Sequence, residues 1–141
     1  MIYRTVLLDT NICIDVALYR LPYASDALKI IEKAQFENLN TIIAAHSFDT
    51  IFYILRKSYS LQKRYELIEE LRSVSKIAPV TQHIIDEALE LKWPDFEDAI
   101  HYRAAVAAGC EAIVTRNPTD FKESDLEIMT PGQLLSEMEN S

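Results

Sequence analysis

Val6-Leu7-Leu8-Asp9-Thr10-Asn11 is the stretch on which the fold of this chain turns. Consecutive aliphatic residues suit a strand buried on both faces, and the abrupt change to Asp-Thr-Asn marks its end and the start of a helix. The strand is read from Tyr3 to Leu8. A carboxylate at the inner end of such a strand is costly unless it is paired, hydrogen-bonded or bound to metal. Asp9 therefore requires partners from distant parts of the chain. The same handover recurs where Thr41 to Ala45 meets Ser47-Phe48-Asp49-Thr50. It recurs again where Ala112 to Thr115 meets Arg116-Asn117-Pro118-Thr119-Asp120.

Working outward, Ser25 or Asp26 caps a helix through Phe36, with Ala27, Ile30, Ile31 and Ala34 on one face. Ser47 is expected to cap a helix carrying Phe48, Ile51, Phe52 and Leu55 at helical spacing. Ser60 opens another, whose inner face would be Leu61, Tyr65, Ile68 and Leu71. Ile77 to Val80 reads as a short strand near the sheet edge, because Pro79 cannot donate a ladder hydrogen bond. Thr81 caps a helix to about Lys92, and Asp95 caps one that stops before Gly109, the usual residue beyond a helix end. Leu126 to Met129 is a further short strand. Pro131 starts a final helix using Leu134, Leu135 and Met138.

Strands alternating with helices imply a mainly parallel sheet covered on both faces, with ligands at the carboxyl ends of the strands. Asp9, Asp49, Asn117 and Asp120 all follow strands and belong to that edge. Asp98 joins them because its helix returns almost directly to the strand at Ala112, which turns its N-terminus toward the same edge. Singly, Asp49, Asp95 and Asp98 have a plain reading as first-turn carboxylates favoured by the helix dipole. Jointly, helix capping does not require acids to share one crevice. An oxygen-rich set without paired cysteines or spaced histidines suits Mg²⁺ or Mn²⁺ and phosphodiester hydrolysis.

The 141 residues fit one domain, taken as residues 1–141, with 49% hydrophobic and 26% charged residues as in an ordinary cytosolic protein. The run from Val6 to Leu18 is broken by Asp9, Asn11 and Asp15, which argues against a signal peptide or a membrane span. Cys13 and Cys110 read as buried thiols. With only Gly109 and Gly132 there is no phosphate-cradling glycine loop, and no serine or cysteine nucleophile motif is present. The net charge of −8 opposes binding of a polyanion through the whole-protein field. Six bases against three acids between Arg56 and Lys76 nevertheless leave room for local contact.

Together, Val6-Leu7-Leu8-Asp9-Thr10-Asn11, Asp49, Asp95-Phe96-Glu97-Asp98-Ala99 and Val114-Thr115-Arg116-Asn117-Pro118-Thr119-Asp120-Phe121 resemble the PIN-domain ribonucleases. Many of those are toxins of VapBC-type toxin–antitoxin pairs. The resemblance spans nearly the whole chain and implies an α/β, PIN-like three-layer fold, with a central, mainly parallel sheet of four to five strands flanked by helices. It implies a metal-dependent endoribonuclease acting on RNA, with an antitoxin protein as partner, a homodimer and a cytoplasmic location. By that resemblance Asp9, Asp98 and Asp49 hold Mg²⁺ or Mn²⁺, Asn117 and Asp120 complete the catalytic set, and Thr10, Asn11 and Thr115 orient the carboxylates.

Asp49 stands where the family most often has glutamate, and Asn117 where many members carry aspartate. Arg116 is a candidate for a substrate phosphate, with a surface arginine as its alternative; His46 and Asp15 have similar double readings. Two other functions compete. A PIN-like binding module with weak or no catalysis is consistent with the departures at Asp49 and Asn117. A haloacid-dehalogenase-type phosphatase fits less well, since Asn11 stands where that class needs its second aspartate.

Overall fold

A computed structural model of the chain describes residues 4–36, 39–121 and 123–140. In chain order the elements are β1 (Arg4–Leu8), α1 (Thr10–Leu18), α2 (Tyr23–Phe36), β2 (Leu39–Ala44), α3 (Ala45–Ile54), α4 (Leu61–Val74) and β3 (Ser75–Ala78). There follow α5 (Gln82–Leu91), α6 (Phe96–Ala107), β4 (Ala112–Val114), β5 (Glu127–Met129) and α7 (Pro131–Glu139). Short 3₁₀ turns cover Leu55–Lys57 and Pro118–Phe121.

The strands form one parallel sheet in the order β3-β2-β1-β4-β5. From β1 the chain steps outward through β2 to β3, then crosses back to lay β4 on the other side of β1. The reversal opens a crevice at the carboxyl ends of β1 and β4, the usual ligand position in such sheets. The register sets Leu8 beside Val114, so Asp9 leaves β1 where Thr115 leaves β4. The Asp9 N–H extends this ladder by one bond, to the Val114 carbonyl at 2.9 Å.

Alternation along β1 feeds two apolar layers. Val6 and Leu8 pack with Ile12, Ile30, Ile43, Ile51 and Leu134, beneath α1, α2, α3 and α7. Leu7 packs on the other face with Ile42, Ala99, Tyr102, Ala105 and Ile113, beneath α5 and α6. Both faces are covered, which is why the strand reads as an unbroken aliphatic run. Small side chains at Ala99, Ala104 and Ala105 bring α6 close to the sheet. The helix ends before Gly109, whose φ of 75° needs the freedom of glycine.

Several boundaries differ from the sequence reading. Tyr3 lies outside the described residues. α2 begins at Tyr23, ahead of Ser25 and Asp26. α3 begins immediately after β2, with Ala44 at its cap position and Ser47 already inside the helix. Ser47 is fully buried and bonded to other side chains, so it does not cap. On α4 the inner face is carried by Leu71 and Ile68, while Leu61 and Tyr65 are exposed. β3 lies two residues earlier than expected and ends before Pro79, at the sheet edge as predicted.

Candidate active site

At the carboxyl ends of β1 and β4, residues from separate elements line a cleft of about 230 Å³: Asp9, Thr10, Asn11, Ile14, Thr50, Ile54, Asp95, Glu97, Asp98, Asn117 and Asp120. Asp9 is held from two sides. The Thr115 hydroxyl donates to its Oδ2 at 2.7 Å and the Asn11 amide donates to the same oxygen at 3.2 Å. The Thr115 hydroxyl in turn accepts from the Asn117 N–H at 3.1 Å, which ties the β4 loop to the strand-end acid. Burial nevertheless dominates and pushes the Asp9 pKa up, opposed by hydrogen bonds from the Thr115 hydroxyl and the Thr10 backbone, with Asp95 adding to the rise and Arg116 opposing it.

Asp98 arrives from the other side, in the first turn of α6. The Asp95 side chain caps that helix, accepting from the Asp98 N–H at 3.1 Å. The Asp98 carboxyl is buried near Asp95, Asp9, Asp120 and Glu97, and burial together with these like charges raises its pKa to about 7. Glu97 is raised as well, by burial and then by Asp9 and Asp95.

One turn beyond Asp98, His101 is completely buried. Its Nε2 lies 3.0 Å from the Ser47 hydroxyl and 3.3 Å from that of Thr10, which are themselves 2.8 Å apart. Its Nδ1 stands 3.8 Å from Asp9 Oδ1. The His46 ring lies against it, with centroids 4.7 Å apart. Burial lowers both imidazole pKa values to about 4, so both rings are neutral near pH 7.

Asp9, Asp98 and His101 each present a ligand atom within 4.8 Å of the others. Carboxylates gathered at this distance, with their ionised forms disfavoured, fit a cation among them. The Asn11 Oδ1, buried in the same region without a hydrogen-bond partner among the described residues, fits as well. Oxygen donors predominate, which suits a hard ion such as Mg²⁺ or Mn²⁺.

Two expected members stand elsewhere. Asp49 is exposed on α3 and does not line the cleft; Thr50, the next residue, does. On this helix Ser47, Thr50 and Ile54 share the face toward the site, and a residue at 49 falls about a quarter-turn or more away from it. Arg116 also lies outside the cleft. Its Nε is 2.9 Å from Asp15 and its guanidinium covers the Tyr23 ring at 4.1 Å. Asp15, completely buried, is shared with Arg20 at 3.0 Å. Arg116 thus joins the β4 loop to α1 and α2.

Glu97 and His101 were not singled out from sequence. The signal for both was helical spacing from Asp98, one position before and three after, but alanines and aromatics around them gave no reason to prefer that face. Beside the cleft lies a second groove of about 420 Å³, which shares Asp95, Asp98 and Asp120 and is walled by Trp93 and Pro94.

No curated protein matches the sequence. Among solved structures the fold is similar to a chain of VapBC2 from Rickettsia felis bound to a promoter DNA fragment. There the TM-score is 0.65 at 18% identity, covering 89% of this chain and 96% of the other. It is also similar to VapC20 of Mycobacterium tuberculosis, a sarcin–ricin loop cleaving toxin, with a TM-score of 0.62 at 13% identity over 77% of this chain and 86% of that one. A toxin–antitoxin complex from Klebsiella pneumoniae gives a TM-score of 0.64 at 23% identity, covering 89% and 97%. The family model described as PIN domain matches residues 5–119, from β1 to the turn that carries Asp120. The chain belongs to the PIN domain family.

Proposed function

We propose that the chain, as a single domain over residues 1–141, is a divalent-metal-dependent endoribonuclease and the toxin half of a type II toxin–antitoxin pair. The observation that carries the reading is the meeting of Asp9, Asp98, Glu97, Asn117 and Asp120 in one cleft at the point where the strand order reverses. Asp9 and Asp98 would hold Mg²⁺ or Mn²⁺, with the His101 Nδ1 on the same side. The ion supplies charge for a phosphoryl oxygen and lowers the pKa of a bound water.

The remaining work falls to the chain. Thr115 and Asn11 fix the orientation of the Asp9 carboxylate through its Oδ2. Thr10 and Ser47 hold the Nε2 edge of His101, which keeps the ring turned toward Asp9. Glu97 lines the cleft beside Asp98, its pKa raised by burial and then by Asp9 and Asp95, and stands where a proton acceptor would be needed. Asn117 and Asp120 close the far wall, where Asn117 contributes an amide without adding to the negative charge.

An antitoxin partner is proposed from the likeness to toxin–antitoxin structures such as those from Rickettsia felis and Klebsiella pneumoniae; a homodimer and a cytoplasmic location are proposed from the family resemblance of the motifs. No helix among the described residues is long and apolar enough to cross a membrane. The exposure of Asp49 favours a second reading, a PIN domain with weak or no catalysis that binds without cutting.

Cleavage of a broad RNA pool separates the two. Wild-type protein with Mn²⁺ or Mg²⁺ should cut, and cutting should vanish with chelator and in Asp9→Asn. Identical cleavage by wild type and Asp9→Asn removes the nuclease assignment.

A further inference from the structure

Between Asp49 and Glu66 the sequence contains no acid, although the chain holds 22 acidic residues against 14 basic ones. This interval carries Arg56, Lys57, Lys63 and Arg64 together with Phe52, Tyr53, Tyr59 and Tyr65. It covers the second half of α3, the turn at Leu55–Lys57 and the first turn of α4. Of the other arginines, Arg4 pairs with Glu127 and Glu137, Arg20 and Arg116 with Asp15, and Arg103 with Glu87, while Arg72 donates to the Ser75 carbonyl. Arg56, Lys57, Lys63 and Arg64 have no carboxylate partner among the described residues.

The arginines of this patch are held by aromatic rings instead. The Arg56 guanidinium lies 3.7 Å from the centroid of Tyr53 and bonds the Tyr53 carbonyl at 2.9 Å. Arg64 lies 4.8 Å over Phe52, whose ring meets Tyr65 at 4.8 Å. Contacts of this kind fix a cation without neutralising it, so its charge remains available to a phosphate. Tyr53 and Tyr65 are 60% and 55% exposed, leaving aromatic surface beside fixed positive charge. The patch adjoins the cleft along the chain: Thr50 and Ile54 line the cleft, and Ile54 is followed directly by the turn bearing Arg56 and Lys57.

We infer that this surface holds single-stranded RNA flanking the bond presented to the cleft, with the four cations on phosphates and Tyr53 and Tyr65 against bases. The inference deepens the nuclease reading and rests on it for the identity of the polymer. A single strand is favoured over a duplex because exposed aromatic side chains need unstacked bases to bind. The acidic remainder of the protein repels a polyanion, so the patch sets the direction from which substrate reaches the cleft.

The test is binding measured apart from cleavage. The full chain is titrated, in chelator, with a labelled single-stranded RNA of about 12 nucleotides, and anisotropy is followed across a salt series. In Arg56→Ala/Lys57→Ala and Lys63→Ala/Arg64→Ala the slope of log affinity against log salt should fall by about 0.7 per cation removed. Affinity at fixed low salt should drop at least tenfold, on the order of one decade per few phosphate contacts. Arg56→Lys and Arg64→Lys should keep most of the slope, which guards against a variant that has simply lost its fold. Lys29→Ala and Lys76→Ala, exposed cations elsewhere, should leave both quantities unchanged.

Unchanged binding in the two double variants, or an equal loss in the Lys29 and Lys76 variants, overturns the inference. Failure of the nuclease reading looks different: RNA binds through the patch but is not cut with Mn²⁺ or Mg²⁺. Binding of an acidic protein partner through the same residues, with RNA affinity unaltered, would also overturn it.

Discussion

At Asp98 the backbone and the side chain are under opposite influences. Its N–H is satisfied by Asp95, while its carboxyl faces that same residue as one of several like charges. The folded protein therefore binds the Asp98 proton more tightly than an unfolded chain does, about 7 against an ordinary 3.8. Stability from this group is fully present below pH 3.8 and is lost as pH rises through 7. His46 and His101 act in the other direction. Their pKa values fall from 6.5 to about 4, so their contribution is full above 6.5 and lost as pH falls through that lower value. Comparing wild type with Asp98→Asn in chelator isolates the carboxyl. The melting temperature of wild type relative to the variant should decline between those two Asp98 values as pH rises, and a pH-independent difference would show that Asp98 is not strained. At this scale the sequence identified Asp9, Asp98, Thr115, Asn11 and Thr10 by residue type and motif. It missed Glu97 and His101, because nothing in the motif distinguishes a helix position facing acids from one facing alanines.

At the scale of elements, α6 brings the site together. One short helix aligns Asp95 at its cap with Glu97, Asp98 and His101, and its alanines seat it against the sheet. Asp95→Ala removes the cap and should cost about 1 kcal/mol, partly offset by relief of charge on Asp98. Asp95→Asn retains a capping oxygen while removing the charge. In denaturant titration without metal, Asp95→Asn should therefore be at least as stable as wild type and clearly more stable than Asp95→Ala. Equal stability of the two variants would mean that the cap contributes nothing. α3 illustrates a limit of residue-type reasoning. Serine after a strand suggests a cap, yet α3 follows β2 so closely that the turn was already complete at Ala45. Ser47 was free to face His101, and that phase shift carries Asp49 out of the cleft and Thr50 into it.

At the scale of the molecule, a crossover in strand order and a negative field coincide. The reversal between β1 and β4 collects carboxylates in a protein whose net charge is already −8. Binding of a divalent cation to the native state alone should stabilise the fold by about 2.7 kcal/mol at a hundredfold excess over its dissociation constant. Thermal melts with added Mn²⁺ should therefore rise for wild type and rise much less for Asp9→Asn and Asp98→Asn. An equal rise in all three would assign the ion to other carboxylates.

The sequence by itself determined the parallel α/β sheet, the order of its elements and the convergence of Asp9, Asp98, Asn117 and Asp120 at the carboxyl edge, because aliphatic runs, caps and crossover handedness are local or topological constraints. It also marked Asp9 as the residue that could not stand alone. Only the tertiary structure decided which neighbours share the site: Glu97 on the cleft wall, His101 buried behind it against Asp9, Asp49 outside, and Arg116 turned onto Asp15. The physical reason is angular. A helix turns about 100° per residue, so an error of one or two residues in where it begins moves a side chain from the cleft to the solvent while leaving the fold unchanged.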